Sequence, residues 1–366
     1  MYGSSTLTTQ HTSFKGNAAG LGGAIVAEHT QLKISACQFI NNKASGSQSI
    51  VTFIKQHPAG TGGAVHVMQS KLHAVDSIFR NNQADLQGGG MQIVGGQFHG
   101  IGLLLDGNTA GQAGGGVSAL DEAAEPSSSV MPSSGTTFTC RKCRFSGNQA
   151  QLGGGVYMAP AAAAIASSDA LSLTLSNVTF SSNTAMHSGG GLSCRGIRHL
   201  SLVNSTFTLN TAAAGTGGGL ACTLCQNVTI TASVFTENSA QACGALLLLQ
   251  STGHSVIESS LFVQNAAMAL GSAAAAAAAP GRGSAVDGRG IDTLLKSRLM
   301  LSDISSGRFG ELVAYNASGS GGAMCVSVPA AATTLRHCRL QGNLARNGGE
   351  SGFPFCIMID AIAKML

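Results

Sequence analysis

The sequence predicts an all-β chain wound as a parallel β-helix. Three observations predict it: a recurring Phe-x-x-Asn, a glycine pair at a near-constant distance after most of the Asn residues, and apolar residues alternating at period two in between. The full copies are Phe14/Asn17, Phe39/Asn42, Phe79/Asn82, Phe145/Asn148, Phe180/Asn183, Phe207/Asn210, Phe235/Asn238 and Phe262/Asn265. Three more keep the Asn and replace the Phe, at Leu105/Asn108, Val313/Asn316 and Leu340/Asn343, so about eleven coils are expected. Where no insertion intervenes the unit is 25 to 28 residues, and such a period read along a chain means stacked supersecondary units.

Each element has a reason. After the glycines come Ile25/Ala27, Val65/Val67, Met91/Ile93, Val156/Met158, Leu192/Cys194 and Leu220/Cys222. Between them lie Val26, His66, Gln92, Tyr157, Ser193 and Ala221. Before the Phe come Leu32/Ile34, Leu173/Leu175, Leu200/Leu202 and Val228/Ile230. A period of two is a strand with one face inward, the intervening residues pointing out. Two or three such strands per unit fit a parallel β-helix. A leucine-rich repeat of similar length would need Leu-x-x-Leu-x-Leu followed by Asn, which this chain lacks.

The motif residues follow from stacking. Phe rings in successive coils can lie at the strand spacing of about 4.8 Å and fill the interior. Asn tolerates a left-handed turn, and its amide can hydrogen-bond along a ladder. Gly-Gly makes a corner that a Cβ would block. Glycine supplies 50 of 366 residues, about twice the usual share, for this architectural reason. The expected structural ladder is therefore the Phe and Asn set above, from Phe14 to Asn343.

The repeat domain is expected over residues 1–350, with low-complexity insertions near 43–61, 119–137, 159–170 and 271–300. The apolar tail 351–366 contains Asp360 and Lys364 and is too short to span a bilayer, so it reads as a cap for the open end. Charged residues are 10% of the chain and the net charge is +4, far from the basic stripe of a nucleic-acid binder. Arg141, Lys142 and Arg144 cluster locally and read as a solvated face. Residues 1–10 are polar rather than signal-like, so the chain reads either as cytosolic or as a fragment of a longer secreted protein. The immediate start of the repeat, without a cap, favours the fragment.

Chemistry-bearing residues are scattered. Cys140-x-x-Cys143 and Cys222-x-x-Cys225 stand 82 residues apart, which does not match a compact zinc site. Cys194 and Cys222 share one register in adjacent coils, which brings them within reach of a disulfide and equally allows two buried thiols. Cys37, Cys143 and Cys338 share the position two before the aromatic. Sequons at Asn177, Asn204, Asn227 and Asn316 permit secretion without arguing for it.

The ten histidines, His66, His99, His187, His199 and His254 among them, show no ligand spacing and are expected to point outward. Asp76, Asp106, Glu237 and Glu258 fall at different registers, so no carboxylate pair for glycan cleavage emerges. Asp121, Glu122 and Glu125 sit in an insertion that cannot hold a fixed geometry. Asn-Thr-Ala recurs in three coils, whereas an ice-binding face would need threonine on many. No catalytic, cofactor or metal residue is assigned.

The motifs Gly22-Gly23-Ala24-Ile25 and Gly62-Gly63-Ala64-Val65, with Gly154-Gly155-Val156 and Gly218-Gly219-Leu220 as variants, resemble the repeats of chlamydial polymorphic outer-membrane proteins. Similar repeats occur in large β-helix proteins of algae and protists, and the alanine runs point to that kind of source. The resemblance covers most of residues 14–350. It implies a right-handed, pectin-lyase-like β-helix and a surface-exposed adhesive passenger. The expected function is a non-enzymatic extracellular or cell-surface module for adhesion or structural binding, with a polysaccharide or a cell-surface protein as partner. A carbohydrate-active enzyme of the pectin-lyase-like class, or a degenerate descendant of one, is the alternative. An intracellular scaffold is a third reading.

Overall fold

The computed structural model describes residues 5–46, 49–51, 56–121, 136–160, 171–249, 253–268, 322–327 and 333–345. Within them the chain is a parallel β-helix. From each glycine pair onward, a coil lays down four strand segments, each pairing in parallel with the matching segment of the next coil. The coil that begins after Gly189 shows them all: Leu192–Arg195, His199–Val203, Thr206–Thr208 and Thr211–Thr216. In two coils the first two segments run on as single strands, Val65–Val75 and Met91–Ile101. The third and fourth faces are each ten-stranded sheets, so ten rungs are seen. The eleventh copy, Val313/Asn316, lies outside the described residues, as do the insertion at 271–300 and the tail at 351–366.

The third face carries the aromatic core. Phe14, Phe39 and Phe79 stack with centroids 4.8 and 4.6 Å apart. After Leu105 fills one rung, Phe145, Phe180, Phe207, Phe235 and Phe262 stack again at 4.6 to 4.8 Å. Each fully buried ring contributes about 1.5–3 kcal/mol of hydrophobic stabilisation. In the Leu105 coil the second face compensates: Phe98 replaces the usual aliphatic and packs on Phe138 with centroids 4.5 Å apart. Gly100 makes room for it, since a Cβ there would meet Phe98 Cζ at 2.9 Å.

Beside the rings runs an asparagine ladder from Asn17 to Asn343. Its rungs between those ends are Asn42, Asn82, Asn108, Asn148, Asn183, Asn210, Asn238 and Asn265, all fully buried. Asn183 shows the pattern. Its Nδ2 donates to Asn210 Oδ1 and to the Phe145 carbonyl, both at 2.9 Å. Its Oδ1 accepts the backbone N–H of Asn148 at 3.1 Å and the Asn148 Nδ2 at 2.9 Å. Nδ2 of Asn42 donates likewise to Asn82, that of Asn108 to Asn148, that of Asn238 to Asn265, and that of Asn265 to Asn343, at 2.9 to 3.0 Å. Each such amide is fully satisfied although buried, the condition under which a buried polar group stabilises rather than costs. Nine amide–amide links join ten asparagines.

One expectation for these residues is corrected. The left-handed turn expected at Asn42, Asn82, Asn108, Asn148, Asn183, Asn210, Asn238 and Asn265 falls one residue earlier in every case. It stands at Asn41, Asn81, Gly107, Gly147, Ser182, Leu209, Glu237 and Gln264 respectively. The physical reason is division of labour: the preceding residue turns the chain, leaving the ladder residue free to aim its amide inward along the stack.

The glycine pair has two separate causes. Gly189 sits at φ 61°, and Gly190 lies where a Cβ would meet Gly218 O at 2.4 Å and Thr211 N at 2.5 Å. In one coil Cys243 takes the first position, with φ 60°. Among the described residues the insertions leave at two corners. Those near 119–137 and 159–170 fall between the first and second segments, and that near 43–61 between the fourth and the next first. The last includes an antiparallel pair, Ser49–Val51 with Gln56–Pro58, which low-complexity reading did not foresee.

Candidate functional site

With the interior occupied by ladders, chemistry is left to the cysteines and to the outward rows. Three disulfides are present: Cys140–Cys143, Cys222–Cys225 and Cys243–Cys325. The pairing considered between Cys194 and Cys222 is corrected. The two residues are partners in register, but Cys222 bonds to Cys225 at the corner just beyond its own strand, with Cα atoms 6.1 Å apart. In-register neighbours project side by side, whereas the corner residue turns toward Cys222. Cys194 stays a buried thiol, and burial pushes its pKa far above the ordinary range, leaving it unreactive. Cys37 and Cys338 are also free thiols.

The position two before the aromatic, where Cys37, Cys143 and Cys338 stand, is a second ladder. The Cys37 N–H donates to Ser77 Oγ at 3.0 Å. The N–H groups of Val178, Ser205 and Ser233 donate to Ser205, Ser233 and Ser260 Oγ, each at 3.2 Å. Counting back two residues from each Phe would have found it.

His66 departs from the outward expectation. It is 1% exposed, with Nδ1 2.9 Å from Thr61 Oγ1. Gln92, Ser193 and Ala221 in the same row are buried as well. The turn at the first glycine folds over this side of the sheet: a Cβ on Gly62 would come within 2.9 Å of His66 Cβ. Gln92 Oε1 and the adjacent Ser118 Oγ are buried there without a hydrogen-bond partner.

The second face is the open one. Its central outward row reads Thr8, Lys33, His73, His99, Thr139, Thr174, Ser201 and Thr229, each in register with the next. The His73 and His99 rings stack at 5.1 Å with 3° between planes. Lys71 projects beside His73 from the same strand. Burial first, then the charges of His99 and Lys33, lower the His73 pKa below its ordinary value.

Of the other groups considered, Arg141 and Arg144 are exposed as expected. Asp106 pairs with Arg80 at 3.0 Å, and Asp121 holds the Thr136 hydroxyl at 2.9 Å. Glu122 and Glu125 lie outside the described residues. The sequon residues Asn177 and Asn204 occupy exposed left-handed turns of adjacent coils and hydrogen-bond to each other. Among the described residues no group of three His, Cys, Asp or Glu could hold a metal ion. Among them no helix is long and apolar enough to cross a membrane.

Stacked rings, an amide ladder and parallel coils together define a parallel β-helix of the repeat type. One stretch of it is similar to a known repeat: the Chlamydia polymorphic membrane protein repeat matches residues 177–195, which span Phe180, Asn183 and Gly189 to Gly191. No curated protein and no solved structure matches the chain significantly.

Proposed function

We propose that this chain is a surface-exposed, non-enzymatic β-helix module that serves adhesion or structural binding, with a polysaccharide or a cell-surface protein as its partner. The observation that carries the reading is the combination of three disulfides with a repeat whose inward residues all build the core. Disulfides persist in oxidising compartments, outside the cytosol. Cys243–Cys325 closes a loop across a sequence separation of 82 residues. The matched repeat, described as one of a membrane protein, supports a place at the cell surface. A rigid rod with uniform interior leaves its outward rows to vary, as binding solenoids do.

Two measurements test this. Impermeant biotinylation of intact source cells should label the protein, and thiol alkylation before reduction should leave its paired cysteines unmodified. A fully reduced, unlabelled intracellular pool would sink the surface assignment. Incubation of the purified protein with acidic and neutral polysaccharides should show retention without release of reducing or unsaturated ends. Turnover would replace the binding module by an enzyme.

A further inference from the structure

We propose that the second face, over the coils bearing Lys33, His73 and His99, is a docking stripe for a linear anionic polysaccharide lying along the rod axis. This deepens the surface-module reading and rests on it for its biological setting.

The geometry begins with register. Lys33, His73 and His99 are direct cross-strand partners on three successive coils, with Lys71 beside His73. Arg141 stands on the next coil, in register with Ile101 at the strand's end. Like charges placed opposite one another destabilise a sheet, so a row of three ionisable cations is a cost unless an anion relieves it. The outward positions of Gln31–Ser35, Lys71 to Val75 and Gln97 to Ile101 carry no carboxylate. The nearest acids are Glu28, at the end of the first segment, and Asp76, on the turn after the second. Neither stands in the row. In a chain with only 10% charged residues, this concentration of one sign on one face is charge complementarity waiting for a polyanion.

The rest of the face selects the kind of polyanion. Gln31 and Gln97 flank the row with amides that can donate to and accept from sugar hydroxyls. Apart from the two imidazoles, the outward rows of these strands hold no ring on which a nucleobase could stack, which argues against single-stranded nucleic acid. The positive row runs parallel to the stacking axis, so an extended chain with a charge on successive sugars meets successive coils. Protonation couples to this binding. Burial first, then the charges of His99 and Lys33, hold the His73 pKa below its ordinary value in the free protein, and an anion laid across the row draws a proton onto the His73 imidazole.

The test measures binding of the full chain to heparin and to polygalacturonate, with dextran as the neutral control, at pH 7.5 and 5.5. Affinity for the anionic glycans should rise several-fold on acidification, as the His73 imidazole charges beside the bound anion. It should also fall steeply with salt. The double variant His73→Asn/His99→Asn should lose the pH-dependent part, while His199→Asn, a second-face histidine outside the row, keeps it. Equal binding to dextran, or an undiminished pH response in the double variant, overturns the proposal. Competition by single-stranded DNA as effective as that by heparin overturns the glycan assignment. Binding with no surface labelling of cells would leave this inference standing and the surface reading fallen; the reverse result would do the opposite.

Discussion

The second face has two halves with one interior and two exteriors. After Thr8 its outward row is first Lys33, His73, His99; toward the C-terminus it is Thr139, Thr174, Ser201, Thr229. Beneath both lie fully buried aliphatic and aromatic pairs, from Leu32/Ile34 to Val228/Ile230. The difference teaches where selection of residue type is structural and where it is free. An inward residue must fit like neighbours above and below, so coil after coil repeats it. An outward residue answers only to solvent or a partner, so one rod can present a cationic half and a hydroxyl half.

If the interior is truly common, its breakage should cost the same in either half. Asn82→Ala and Asn183→Ala each strip four hydrogen bonds from a buried amide and strand the donors of Asn42 or Asn148. Each variant should lose about 3–5 kcal/mol, since buried unsatisfied groups carry the full desolvation penalty. Asn17→Ala, at an exposed rung, should lose less than about 1 kcal/mol. Denaturant midpoints followed by far-ultraviolet circular dichroism read the three. A difference of about twofold between the two central variants would break the claim of one interior.

A second test sharpens the comparison coil by coil. Phe98 and Gly100 occupy the places that Leu72 and Ala74 hold in the preceding coil. Gly100→Ala alone puts a Cβ 2.8 Å from Leu103 Cδ1, 2.9 Å from Phe98 Cζ and 3.0 Å from Cys140 Sγ, and should cost about 1–3 kcal/mol by overpacking. Adding Phe98→Leu restores the Leu–Ala pair of the neighbouring coil and should recover part of that loss, the Leu103 contact remaining. A double-mutant cycle on thermal midpoints measures the coupling, and additive effects would show that the two positions do not trade volume.

The same asymmetry explains what the sequence disclosed. Phe, Asn and Gly recur because the ladders require them, so the solenoid and its register were legible from spacing. Which residue makes the turn was not: Asn108 and Asn238 looked like turn formers, yet Gly107 and Glu237 turn the chain for them. The second-face row was hidden because its residues change type from coil to coil, although each stands six residues before the aromatic position: Lys33 before Phe39, His73 before Phe79, His99 before Leu105. Aligning the chain on its Phe positions would have exposed it. The disulfides were illegible for another reason. Register brought Cys194 to Cys222, but the direction of a corner side chain, which decides for Cys225, has no signature in spacing.

The smallest expected effect is the most telling about the two exteriors. The folded-state pKa of His73 lies below its ordinary value of 6.5, through burial and then the charges of His99 and Lys33. The unfolded chain therefore binds more protons through the histidine range, and stability present above the unfolded value is lost as pH falls toward the folded one. Between pH about 7.5 and 5 the thermal midpoint of the native protein should fall more steeply than that of His73→Asn, and the two should converge at the upper end. Ser201→Asn, at the matching place in the hydroxyl half, should follow the native slope. Polygalacturonate should flatten the native slope, because a bound anion favours the protonated row that the free fold resists. If His73→Asn melts with the native pH dependence, burial and crowding at His73 are energetically silent, and the two halves differ in their side chains without differing in what those side chains cost.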